Sequence, residues 1–325
     1  MKKLMNDPEQ IVTGFLEGLV AANREQLQRL EDTDVITRRV LKPQKVGIVS
    51  GGGSGHEPAH AGYVGAGMLD AAVAGEVFTS PGADQFLSAI QAVDQGEGVL
   101  LLVKNYNGDV MNVEMAQEMA EAEGISTEMV IINDDVAVSD VKQRRGIAGT
   151  VLVQKITGAL AETGASLKEV KRVAEKTVNQ TRSMSVALTP CTLPAVGQPS
   201  FDLADEEMEV GIGIHGERGV DRREVVTSEE IAKLLLDHIL EEIPEQMPLA
   251  LLVNGMGSTP LIEQYVLAND TIKQLEKKDR DVQHAFVGEY MTSLDMAGIS
   301  LTLLALDEEL SGYLQAPVQT VQWKQ

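Results

Sequence analysis

The 325-residue sequence contains one cysteine, Cys191, so no internal disulfide can form and a reducing compartment is expected. Aromatic residues make up 3% of the chain, against 43% for all hydrophobic types, so the cores must be built from aliphatic side chains and Met. Positive charge is scarce too. Its 27 Lys and Arg face 49 Asp and Glu, a formal charge of -22 that argues against nucleic acid and anionic membrane as partners. No run approaches the ~18 apolar residues of a membrane span. Asn6, Asp7, Glu9 and Gln10 interrupt the apolar stretch that a secretory leader would need after Met1-Lys2-Lys3-Leu4. The expectation is a soluble, cytoplasmic protein. The phosphate loop G-x-x-x-x-G-K-[ST] is also missing, as is the acidic residue that would complete a dinucleotide fingerprint.

What is present is a strand–helix rhythm repeated twice. Asp7 and Pro8 open a first helix with an apolar stripe of Ile11, Val12, Phe15, Leu16 and Leu19. Lys45–Val49 and Gly98–Val103 read as buried strands of a parallel sheet. The pattern restarts near Arg182, where Thr227 and Glu230 form a capping box and Pro248–Val253 reads as another buried strand. This predicts an α/β protein of two domains, 1–182 and 183–325, each a largely parallel or mixed sheet covered by helices.

Polar residues gather where strands are expected to end, the edge at which α/β folds assemble ligand sites. Ser50–Met68 reads as a glycine-rich turn after a strand, carrying Gly53, His56 and Glu57. Ser80 lies in the turn Thr79–Gly82. Lys104 and Asp109 lie in a second loop, where Asn107-Gly108-Asp109 is equally a turn sequence. In Gly211–Gly216, strand alternation puts His215 on one face with Gly211 and Gly213, which leaves room for a small ligand against the ring. His60, His238 and His284 read as structural, and Cys191 as a small buried residue. The residues alone point to a small polyhydroxylated or phosphorylated ligand.

The runs GGGSGHEPAHAGYVGAGML, FTSP, GVLLLVKNYNGDVMN, INDDVAV, RRGIAGTVLVQKI, FDLADEEMEVGIGIHGE, LLVNGMGSTP and TSLDMAGISLTLL resemble the substrate-binding subunit of the dihydroxyacetone kinases, in family order along nearly the whole chain. The resemblance implies that His215 adds to the ketone carbon of dihydroxyacetone as a hemiaminal. It implies an acid/base pair in His56 and Asp109, and substrate contacts from Gly53, Ser80, Lys104, Asp109 and His215. Family members that use ATP directly carry a further helical nucleotide-binding domain, and no segment here is left over for one. The expected form is therefore a phosphoenolpyruvate-dependent, homodimeric phosphotransferase subunit with no metal or cofactor on this chain. Its donor is an ADP-bearing L subunit, with Mg expected there, recharged by a phosphocarrier M subunit. Ala66 and Asn107 depart from residues common in the family. The alternative is a non-enzymatic, dihydroxyacetone-sensing co-activator of a transcription regulator. Such paralogues tend to lose the loop that Asn105, Tyr106, Gly108 and Asp109 keep here, which favours the enzyme. A lipid carrier of related fold conflicts with the polar, histidine-bearing loops.

Overall fold

Among the described residues, six strands lie before residue 133 and six after residue 180, and each set forms its own sheet. The computed structural model describes residues 2–324. The first sheet contains β1 (Leu27–Arg29), β2 (Val35–Arg38), β3 (Gly47–Ser54), β4 (Ala71–Val77), β5 (Val99–Lys104) and β6 (Thr127–Ile132), in the order β1-β2-β4-β3-β5-β6. The second contains β7 (Thr181–Ala187), β8 (Glu207–Val210), β9 (Asp221–Glu224), β10 (Leu249–Gly255), β11 (Val282–Gly288) and β12 (Gly298–Ala305), in the order β11-β10-β12-β7-β8-β9. Both sheets are mixed. Pairings β4-β3, β3-β5 and β5-β6 are parallel, whereas in the second sheet β10-β11 is parallel and the other pairings are antiparallel.

The helices are α1 (Ile11–Ala22), α2 (Ala83–Val93), α3 (Asn107–Ala122), α4 (Gly149–Ala161), α5 (Leu167–Gln180), α6 (Ser228–Leu240), α7 (Leu261–Lys277) and α8 (Glu308–Leu314). Apolar spacing explains their packing. In α2, Ala83, Phe86, Ala89, Ile90 and Val93 form one buried stripe in a core shared with Val49, Val73, Leu101 and Val103. In α6, Ile231, Ala232, Leu235, Leu236 and Ile239 do the same for a core with Met184, Val210, Leu251 and Leu301. The capping box expected at Thr227 and Glu230 starts that helix.

Each sheet anchors a compact unit, and both units are discontinuous in sequence. The first unit takes Lys2–Ile132, Leu152–Thr177 and residues 310–324; the second takes Asn133–Val151 and Val178–Glu309. The expected break at residue 182 falls inside β7, at the start of the second sheet. In the first unit, Lys155 Nζ donates to the carbonyls of Tyr313 (2.8 Å) and Ala316 (2.9 Å). Gln319 N donates to Ala66 O (2.8 Å) and Gln322 N to Gly62 O (3.1 Å). The last two bonds join the segment after α8 to the one that follows His56.

Candidate functional site

In the first unit, Gly51, Gly52 and Gly53 lie within β3, where the sequence suggests a turn. They pair in parallel register with Val73, Ala74 and Gly75 of β4. A glycine run resembles a turn in sequence, but here close approach is what requires it. A Cβ on Gly51 would lie 2.6 Å from Val73 O, and one on Gly53 would lie 2.6 Å from Thr79 N. The chain leaves β3 at Gly55, whose φ is +106°, and His56 follows fully buried. The His56 ring stacks on Phe78, with centroids 5.2 Å apart and planes 16° apart. Phe78 has a φ of +56°, a costly conformation for an aromatic residue and one that marks a constrained segment just before Ser80.

Lys104 and Asp109 converge on Gly52. A Cβ on Gly52 would lie 2.5 Å from Lys104 Nζ and 3.4 Å from Asp109 Oδ2. Lys104 ends β5 with its side chain fully buried, and its Nζ is 5.9 Å from the centroid of the Tyr106 ring. Asp109 lies in the first turn of α3, which begins at Asn107, and not in the loop that its Asn-Gly-Asp sequence suggests. Asp109 is 3% exposed, and its Oδ1 has no hydrogen-bond partner among the described residues. A buried acceptor left open in this way costs stability and marks a place where a ligand proton can be received. A Cβ on Gly108 would lie 2.7 Å from Ser80 Oγ, so the same helical turn abuts the Ser80 turn. Gly53, His56, Ser80, Lys104 and Asp109 thus all belong to one unit.

His60, which reads as structural in the sequence, is part of this network. Its Nε2 is 3.2 Å from Lys104 Nζ, and its Nδ1 is 2.8 Å from Gln154 Nε2 and 3.4 Å from Ser50 Oγ. Burial and then the Lys104 charge hold its pKa well below the usual histidine range, so the ring is neutral. Its neighbours in sequence carry no signal of this, because the partners Lys104 and Gln154 are distant in the chain.

His215 lies in the second unit, and its local structure also differs from expectation. β8 ends at Val210, and Gly211 turns the chain with a φ of +77°. His215 therefore sits in a turn, closed by Gly213 N donating to Glu217 O (2.9 Å). Strand alternation does not apply beyond Val210. The His215 ring is oriented by Glu217, whose Oε1 is 2.8 Å from Nδ1, while Glu217 Oε2 accepts from His215 N at 2.9 Å. Burial pulls the Glu217 carboxyl up, but the hydrogen bond and charge of His215 and the local backbone N–H groups together hold it down at about 2. The carboxylate is thus ionised at neutral pH. An ionised carboxylate can only accept, so Nδ1 donates to it and the orientation of the ring is fixed, as an oriented nucleophile or base requires.

His238 is exposed near the end of α6, and His284 stacks on Phe286. Cys191 is buried, with its thiol 3.3 Å from Ser200 Oγ. Among the described residues no helix is long and apolar enough to cross a membrane, and no group of three or more His, Cys, Asp or Glu residues could hold a metal.

Comparison with known proteins agrees with this architecture. The chain is 53% identical over 329 residues to the PTS-dependent dihydroxyacetone kinase 1, dihydroxyacetone-binding subunit DhaK, of Listeria innocua, covering 99% of this chain and 100% of that protein. The dihydroxyacetone kinase of C. freundii in complex with AMP-PNP and Mg2+ superposes with a TM-score of 0.93 at 38% identity, covering 99% of this chain and 61% of the other. A dihydroxyacetone kinase operon co-activator, Dha-DhaQ, superposes with a TM-score of 0.90 at 38% identity, covering 98% and 99%. The Dak1 domain model matches residues 17–322, and the chain belongs to that family.

Proposed function

We propose that this chain is the dihydroxyacetone-binding subunit of a phosphoenolpyruvate-dependent dihydroxyacetone kinase. The observation that carries the reading is the His215–Glu217 pair, in which the carboxylate holds Nδ1 and so orients the ring for attack by Nε2 on a carbonyl carbon. The Nε2 lone pair forms the C–N bond, the carbonyl π pair moves to oxygen, and that oxygen takes up a proton to become the hemiaminal hydroxyl. The ring then carries positive charge, which the Glu217 carboxylate stabilises. Glycerol has no electrophilic carbon, so this step also selects the substrate.

In the transfer step a substrate hydroxyl oxygen attacks the terminal phosphorus of the donor nucleotide. The bond to the leaving ADP breaks, and Asp109 accepts the hydroxyl proton, assisted by His56. Gly53, Ser80 and Lys104 would hold the substrate hydroxyls. Nucleotide and Mg would belong to an L subunit, recharged by a phosphocarrier M subunit, with this chain acting as a cytoplasmic homodimer.

Carbon-13 NMR tests the reading. Labelled dihydroxyacetone mixed with the protein should lose its ketone signal to a protein-bound tetrahedral carbon, and His215→Ala should abolish that signal. An unchanged ketone at saturating protein would remove His215 from the covalent role. The co-activator alternative predicts the adduct without phosphorylation when both partner subunits and phosphoenolpyruvate are supplied.

A further inference from the structure

The turn that carries His215 is held from below by a buried ion pair. Arg145 Nη2 donates to Gly211 O (2.8 Å), where the turn leaves β8, and Nη1 reaches Glu217 O (3.5 Å), where it closes. The guanidinium is fixed in turn by Asp135, whose Oδ2 accepts from Nε at 2.8 Å and lies 2.7 Å from Nη2. Asp135 N donates to Arg145 O (3.2 Å), and Asp135 Oδ1 accepts from Ala137 N (3.0 Å). A Cβ on Gly213 would lie 2.8 Å from Arg145 Nη1 and nearer still to Glu217 Oε2, so guanidinium, turn and carboxylate crowd around that glycine.

We propose that Arg145, anchored by Asp135, is a positioning residue for the covalent step: it fixes both ends of the 211–217 turn and so aims the His215–Glu217 pair. The inference rests on the reading of His215 as the nucleophile. Lysine could not replace it. One ammonium can pair with Asp135, but it lacks the planar fork that also reaches two carbonyls. The Asp135 side chain is fully buried, and burial pushes its carboxyl up to about 7 against the pull of Arg145. Asp134 beside it contributes to that rise, and the Arg145 guanidinium opposes it, so the carboxylate depends on the guanidinium for its charge near neutrality.

Arg145→Lys and Asp135→Asn test this with two readouts. The first is the fraction of labelled dihydroxyacetone converted to the bound tetrahedral carbon. The second is backbone hydrogen exchange in the ligand-free protein. Arg145→Lys should weaken adduct formation about 10- to 100-fold, the range expected for lost hydrogen bonds to a charged group. Exchange should quicken within 211–217 while the β7, β10 and β12 amides keep their protection. Asp135→Asn should show the same pattern to a smaller degree. Unchanged exchange in 211–217 would overturn the proposal. So would an adduct loss that tracks loss of protection across the whole second sheet, which would assign the pair to folding alone. If the wild type forms no adduct, the functional reading fails, while the exchange experiment still decides whether Arg145 holds the turn.

Discussion

Gly51 and Gly52 are neighbours in β3, yet substitution should damage different properties. Gly51→Ala drives a methyl group into Val73 O and the Phe86 ring, so it should cost about 1–3 kcal/mol in urea unfolding. Gly52→Ala sends its methyl toward Lys104 Nζ, the end of a side chain at the proposed site. Its larger effect should be on ligand binding, measured by titration calorimetry, although a φ of +151° adds some strain. Asp109→Asn keeps the shape and removes the proton acceptor. Turnover in the reconstituted system should fall by at least ~10²-fold while adduct formation persists. Near-normal turnover would exclude Asp109 from that role. These residues are visible in the sequence as members of strand-end segments, but the geometry around them is not. His60 is hard to recognise there because its partners Lys104 and Gln154 are distant in the chain. Arg145 leaves a visible trace, since two arginines follow two aspartates a short way along, but the sequence does not say which pair meets.

Among the elements, long apolar ones were legible and glycine-rich ones were not. β5 and α6 follow from their hydrophobic pattern. The glycines of β3 and the Asn-Gly-Asp start of α3 carry turn chemistry, and tertiary packing overrides it. The end of α6 carries a further test. Glu242 pairs with Arg144 (2.6 Å) and Arg182 (2.8 Å), linking the helix end to β7 and to the segment before α4. The Arg144 hydrogen bond, then Arg182 and both charges, outweigh burial and hold the Glu242 carboxyl down at about 2, below its ordinary 4.5. A lowered carboxylate pKa stabilises the fold above about pH 4.5, and that contribution disappears as pH falls toward 2. Urea unfolding at a series of pH values should show this loss, and Glu242→Gln should flatten it. An equally steep acid dependence in the variant would assign it to other groups.

For the whole molecule, charge is the most direct guide. With a formal charge of -22, the chain should associate with the proposed phosphoryl-donating subunit through a basic face on that subunit, and the affinity should weaken as salt is raised. A salt-independent affinity would exclude electrostatic docking. The two-sheet organisation was legible because strands and helices alternate on both sides of residue 181. The return of the chain was not, because nothing in the local pattern of residues 310–324 indicates which sheet they will join.

That return has a consequence during synthesis. Lys155 and the Gly62–Ala66 stretch receive partners from beyond residue 312, so the residues that complete the first unit are made after every strand of the second. The unit begun first is therefore completed later. Until then, the segment next to His56 lacks its cover, while the second unit, whose residues run no further than Glu309, already has its full set of strands.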